Sequence, residues 1–132
     1  MVKRILVVED ELAVRDVLEK ALSRAGYRVF PAASAEDALE ILCYESIMVM
    51  LLDLNLGGMD GLDLCKTIRL ENPVGIIYAL TGYTDLFGFL ACRKAGFDDF
   101  FIKPVSLEVL FQAAKDAFDR LARWNVAGYE LT

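Results

Sequence analysis

The chain has 132 residues, 56% of them hydrophobic and 26% charged, with a formal net charge of -6 and a mean hydropathy of +0.40. That length suits one domain with a sizeable core, and the acidic balance argues against nonspecific nucleic-acid binding. The complete absence of histidine excludes His-based nucleophilic and acid–base schemes and nearly every zinc site.

The segment "RILVV" (4–8) reads as a first strand. Leu12, Val14, Val17, Leu18, Ala21, Leu22 and Ala25 then recur at helical spacing, with Gly26 as the stop. "YRVFPA" (27–32) is the weakest strand, and its Pro31 suits a sheet edge. Ser34 with Asp37 resembles a capping box opening a helix to about Tyr44. "IMVMLL" (47–52), the most apolar run, is expected to be a central strand. A helix from about Gly61 runs to Glu71, before Asn72-Pro73 ends it. "GIIYAL" (75–80) is the fourth strand; Thr84 is placed to cap a helix to Ala95, and "FFI" (100–102) is the fifth strand. A last helix starts near Ser106, with Leu107, Leu110, Phe111, Ala114, Phe118 and Leu121 as its apolar stripe. Five strand–helix alternations predict a doubly wound α/β fold, and a parallel sheet covered on both faces accounts for the high hydropathy.

No apolar stretch approaches the ~18 residues a membrane span needs, and the start "MVKRILVVEDE" lacks the features of a secretory signal. Cys43, Cys65 and Cys92 have no metal-binding spacing; set among apolar neighbours, they read as core residues of a reduced, cytoplasmic protein. The tail "WNVAGYELT" (124–132) has no clear pattern and reads as a terminus or the start of a linker after a domain spanning 1–123.

In open α/β sheets, ligands bind beyond the carboxyl ends of the strands. Glu9 and Asp10 follow strand one, Asp53 strand three, Thr81 strand four and Lys103 strand five; only strand two delivers nothing polar. Singly, each has an ordinary explanation: a helix-dipole partner, a turn former, a strand-end hydroxyl, a surface lysine. Together, three carboxylates on one rim repel unless positive charge sits among them. Lys103 supplies one charge, and a divalent cation would supply the rest. Oxygen donors, with no His or paired Cys, favour Mg²⁺.

The blocks "ILVVEDE" (5–11), "LLDLNLGGMDG" (51–61), "ALTGYTD" (79–85) and "FFIKP" (100–104) resemble, in order and spacing, the four signature blocks of response regulator receiver domains, over about residues 3–122. The resemblance implies a flavodoxin-like, chemotaxis-regulator-like fold: a five-stranded parallel sheet of order 2-1-3-4-5 with five helices. It also implies that Asp53 is the phosphoacceptor and that Glu9, Asp10, Asp53 and the Asn55 carbonyl hold Mg²⁺. Thr81 becomes the switch hydroxyl, Lys103 the catalytic lysine, Phe100 the switch aromatic, and Lys103-Pro104 a cis bond. Asn55 and Tyr83 fall where the family tunes acyl-phosphate hydrolysis, and a bulky Tyr83 is expected to hinder the attacking water.

The implied partner is a sensor histidine kinase or phosphotransfer protein in a two-component phosphorelay. A homodimer through helix 4, strand 5 and helix 5 is a further expectation. Neither direct nucleic-acid contact nor membrane contact is expected, and no turnover beyond the domain's own phosphorylation and dephosphorylation. Gly57 stands where the family often has proline, which loosens the loop after Asp53. Phe100 lacks the hydroxyl of the tyrosine common at its position, so its outward state has no hydrogen bond to lose. The fourth helix carries Leu86, Phe87, Phe89, Leu90 and Ala91 over more than one face, which reads as partly exposed apolar surface for a partner or, equally, as a tightly covered core helix.

Three other readings are weaker. A haloacid-dehalogenase-like phosphohydrolase needs an acid where Asn55 stands. A flavin-binding module needs a phosphate-binding loop where "EDE" would repel the phosphate. A receiver-like module that takes no phosphate would have no use for the intact set of Glu9, Asp10, Asp53, Thr81 and Lys103.

Overall fold

In the computed structural model, which describes residues 2–82 and 86–124 (86 and 87 by backbone alone), strands and helices alternate through the described residues. The strands are β1 (Arg4–Val8), β2 (Arg28–Ala32), β3 (Val49–Asp53), β4 (Ile76–Thr81) and β5 (Asp99–Ile102); the helices are α1 (Leu12–Arg24), α2 (Ala35–Tyr44), α3 (Gly61–Arg69), α4 (Leu86–Ala95) and α5 (Leu107–Arg123). All strand pairs are parallel, in the order β2-β1-β3-β4-β5.

Every residue of β3 and β4 is buried, whereas the edge strands β2 and β5 are partly exposed. Strand pleating sorts the apolar side chains into two cores. Ile5, Val7, Val49, Leu51, Tyr78 and Leu80 pack against α1 and α5; Leu6, Val8, Met50, Leu52, Ile77 and Ala79 pack against α2, α3 and α4. Burial on both faces is why these strands read as unbroken apolar runs.

The helix starts follow the capping signals. Ser34 Oγ accepts from Asp37 N at 3.1 Å and Ser106 Oγ from Val109 N at 3.2 Å. Asp60, unnoticed in the sequence, does the same for Asp63 N at 2.8 Å. Gly26, with φ +101, ends α1 in the left-handed conformation that suits glycine. The Lys103–Pro104 peptide bond is cis. The Thr84 cap lies outside the described residues.

Some expectations require correction. Cys65 and Cys92 are buried, but Cys43 is exposed, because position 43 falls on the outer face of α2 despite its apolar sequence neighbours. Leu12, Val17 and Leu107 likewise face solvent. The helix expected to reach Glu71 ends at Arg69, and β3 runs one residue further than its apolar stretch, so Asp53 is itself the last strand residue. Among the described residues no helix is long and apolar enough to cross a membrane.

Gly61 fits where no other residue can. A Cβ there would run into the Asp53 carbonyl oxygen and come within 2.7 Å of Leu54 Cα. Both obstacles are backbone, so neither can swing aside. Gly61→Ala is therefore expected to destabilise the fold by about 1–3 kcal/mol, read as a lower urea midpoint; an unchanged midpoint contradicts this packing.

Candidate phosphoacceptor site

The carboxyl ends of β1, β3, β4 and β5 bring the rim residues together. Glu9 continues the β1 ladder, its N–H donating to Ala32 O at 3.0 Å. Glu9, Asp53 and Thr81 are the only buried polar or charged residues among those described. Lys103 Nζ sits 2.9 Å from Glu9 Oε1 and 3.0 Å from Asp53 Oδ2, bridging strands that are far apart in sequence. Lys103 N donates to Thr81 O at 2.8 Å, which fixes the end of β5 against that of β4. The other Asp53 oxygen, Oδ1, accepts from Asn55 N at 3.1 Å. A carboxylate ends this buried strand because a lysine and a backbone amide wait there to receive it.

Glu9, Asp10 and Asp53 each offer a carboxylate oxygen, and the three oxygens lie within 4.8 Å of one another. Asp10 is the exposed member. Burial first, then the hydrogen bond shared with Asp53, push the Glu9 carboxyl up to about 7 against the pull of Lys103. Burial pulls Lys103 down, but its hydrogen bonds to Glu9 and Asp53 outweigh this and hold it above its ordinary value. The cluster thus carries more negative charge than one lysine balances. Its donors are all hard oxygens, a set that suits Mg²⁺ and not a thiophilic metal.

The Glu9 shift sets a pH dependence. Its carboxyl binds protons more tightly in the fold than in the unfolded chain, so its contribution to stability is full below about 4.5 and is lost as pH rises through about 7. Glu9→Gln mimics the protonated form. Without divalent ions it is expected to match the parent near pH 5 and exceed it by about 1–3 kcal/mol near pH 8. Thermal melts in chelator at both pH values check this; a variant less stable than the parent near pH 8 contradicts it.

The sequence profile of the response regulator receiver domain matches residues 5–115. The chain belongs to that family. Transcriptional regulatory protein AfsQ1 of Streptomyces coelicolor is 39% identical to it over 106 residues, 80% of this chain and 47% of that protein. A cyclic di-GMP phosphodiesterase of Thermotoga maritima is 36% identical over 106 residues, 80% of this chain and 28% of that protein. The chain thus spans between 28% and 47% of the length of these curated relatives. Among solved structures, the CheY-like receiver domain protein from Methanospirillum hungatei superposes with a TM-score of 0.89 at 30% identity, covering 93% of this chain and 98% of that one.

This receiver domain of two-component signalling carries its remaining family positions as follows. Thr81 ends β4, buried, and Phe100 lies on β5 opposite Ala79. Thr81 and Ala79 share a sheet face, so Phe100 and Thr81 lie on the same side, toward α4. The Phe100 ring is half-buried and packs edge-on against Phe89 of α4, with centroids 5.4 Å apart. Phe89 and Leu90 are themselves exposed, which favours the reading of that helix as partly exposed apolar surface. Tyr83 lies outside the described residues.

One contributor was missed in the sequence. Arg15 of α1 donates from Nη1 to Glu9 O at 2.8 Å and to Asp10 O at 3.4 Å. The available signal was its place in the first turn of a helix, where the dipole disfavours a cation.

Proposed function

We propose that Asp53 is the phosphoacceptor, taking a phosphoryl group from a phosphohistidine on a sensor histidine kinase or phosphotransfer protein. The observation that carries this is Asp53 itself: a buried carboxylate at a strand end, oriented by Asn55 N and Lys103 Nζ. An Asp53 carboxylate oxygen attacks phosphorus in line, an O–P bond forms, and the P–N bond to the donor imidazole breaks. The electron pair leaves with the imidazole nitrogen, which takes up a proton. Since the 132 residues contain no histidine, the donor belongs to another protein.

Glu9, Asp10, Asp53 and the Asn55 carbonyl would hold Mg²⁺, whose charge, when bound, offsets that of the phosphoryl oxygens. Lys103 neutralises one of those oxygens and keeps the Asp53 carboxylate aimed at the rim. Asn55 and Tyr83 stand two positions beyond Asp53 and Thr81 in sequence and are read as the residues that tune hydrolysis of the acyl phosphate, a bulky Tyr83 hindering the attacking water. Phosphorylation replaces one negative charge by about two and adds acceptor oxygens. Thr81 then turns to donate to them, and Phe100 moves into the space vacated, remodelling the α4–β5–α5 surface. That surface, with Phe89 and Leu90 exposed, is the proposed site of homodimerisation.

We read residues 1–123 as the receiver domain and 124–132 as a tail or linker start, in a cytoplasmic protein. The domain's own role is that of phosphoacceptor and not of turnover enzyme, without direct contact to nucleic acid or membrane. Titration with beryllofluoride and Mg²⁺, followed by amide shifts, tests this. Mg²⁺ alone is expected to shift amides around Glu9, Asp10 and Asp53; shifts at Thr81 and along β5 are expected only when both are present. Equal spectra with and without the pair contradict the proposal.

A further inference from the structure

We infer that Arg15 is a positioning residue for the divalent cation, setting the turn between β1 and α1 so that Asp10 is in place before the ion arrives. The inference rests on the reading of Glu9 and Asp10 as Mg²⁺ ligands. The two acidic side chains are held very differently. Glu9 is buried, with Lys103 Nζ on one oxygen and Glu11 N 3.4 Å from the other. Asp10 is exposed, and among the described residues no donor holds its carboxylate. Its position depends on its backbone alone.

That backbone is fixed at three points. Upstream, Glu9 N donates to Ala32 O at 3.0 Å, tying the turn to β2. Downstream, Arg15 N donates to Glu11 O at 2.9 Å in the first helical bond of α1. Between them the Arg15 guanidinium spans two successive carbonyls, those of Glu9 and Asp10. Both contacts come from one nitrogen, Nη1, at 2.8 Å from the Glu9 carbonyl and 3.4 Å from that of Asp10, held in place by the rigid plane of the guanidinium; an ammonium sits on a flexible stem. A cation in the first turn opposes the helix dipole, so its placement there has a purpose beyond helix stability.

Three roles for Arg15 differ in the sign of one measurement, Mg²⁺ affinity by calorimetry well below the melting temperature. If Arg15 preorganises Asp10, Arg15→Ala weakens Mg²⁺ binding by roughly ten- to a hundredfold, the range for groups that orient metal ligands, and Arg15→Lys loses part of that. A merely repelling charge predicts tighter binding in Arg15→Ala, and a merely structural residue predicts a lower melting temperature with unchanged affinity.

A double-mutant cycle completes the test. In an Asp10→Asn background Arg15→Ala is expected to add less than about threefold, because the ligand it positions is already gone. Unchanged or tighter Mg²⁺ binding in Arg15→Ala, or full additivity with Asp10→Asn, overturns the inference while leaving the site reading intact. Failure of the unmodified protein to bind Mg²⁺ overturns both.

Discussion

Asparagine in place of Asp53 is expected to reduce phosphoryl uptake to background and, in the same protein, to raise the stability of the metal-free fold. The amide is nearly isosteric and still accepts from Asn55 N, but it is not a nucleophile at phosphorus. Uptake from acetyl phosphate in Mg²⁺ therefore stops, with no route around the lesion. The stability gain comes from the repulsion that the change removes. Asp53 helps to push the Glu9 carboxyl up to about 7; without that charge Glu9 ionises more easily, and Lys103 remains paired with it. A gain of about 1–2 kcal/mol at neutral pH is consistent with a functional site assembled at the expense of stability. Radiolabel incorporation and melts in chelator read the two effects separately. Uptake in Asp53→Asn, or a less stable variant, contradicts this account.

The second large effect is expected at the opposite rim. Arg69, at the end of α3, donates to Gly96 O at 2.9 Å, Gly75 O at 2.7 Å and Asn72 O at 3.2 Å. It also pairs with Asp98 Oδ2 at 2.8 Å, and the same oxygen accepts from Ile77 N at 2.8 Å. Arg120 of α5 approaches the other Asp98 oxygen at 3.5 Å. One guanidinium thus joins α3, the start of β4, the α4–β5 turn and, through Asp98, α5. Arg69→Ala strips the principal partner from a mostly buried carboxylate and leaves three carbonyls to find water. A loss of about 3 kcal/mol or more follows, with a fall in melting temperature of roughly 10 °C. Denaturation measures it; a change within about 0.5 kcal/mol, typical of a surface substitution, contradicts the assigned role. Mg²⁺ binding by the folded protein is expected to persist, since the node lies at the other end of the strands.

The legibility of these features follows from their range along the chain. β1, β3 and β4 are plain in the sequence because burial on both faces leaves them apolar except at an end residue, and the rim residues stand out as abrupt ends to those runs. Ser34 and Ser106 are legible because a cap and its amide lie three residues apart. The Arg69–Asp98 pair spans 29 positions with no local pattern. Gly61 gives no sign that its missing Cβ faces the Asp53 backbone. Cys43, Leu12 and Val17 mislead because apolar neighbours along a helix need not be neighbours in space. Arg15 is hidden for another reason: its partners are carbonyls, which every residue carries.

The most direct measurement is the location of the phosphoryl group. After treatment with acetyl phosphate and Mg²⁺, borohydride reduces an acyl phosphate to the corresponding alcohol, which marks the modified side chain for peptide mass mapping. The mark is expected at Asp53 alone, and only when Mg²⁺ was present. A mark at another carboxylate, or none under conditions where the protein binds Mg²⁺, would contradict the central claim.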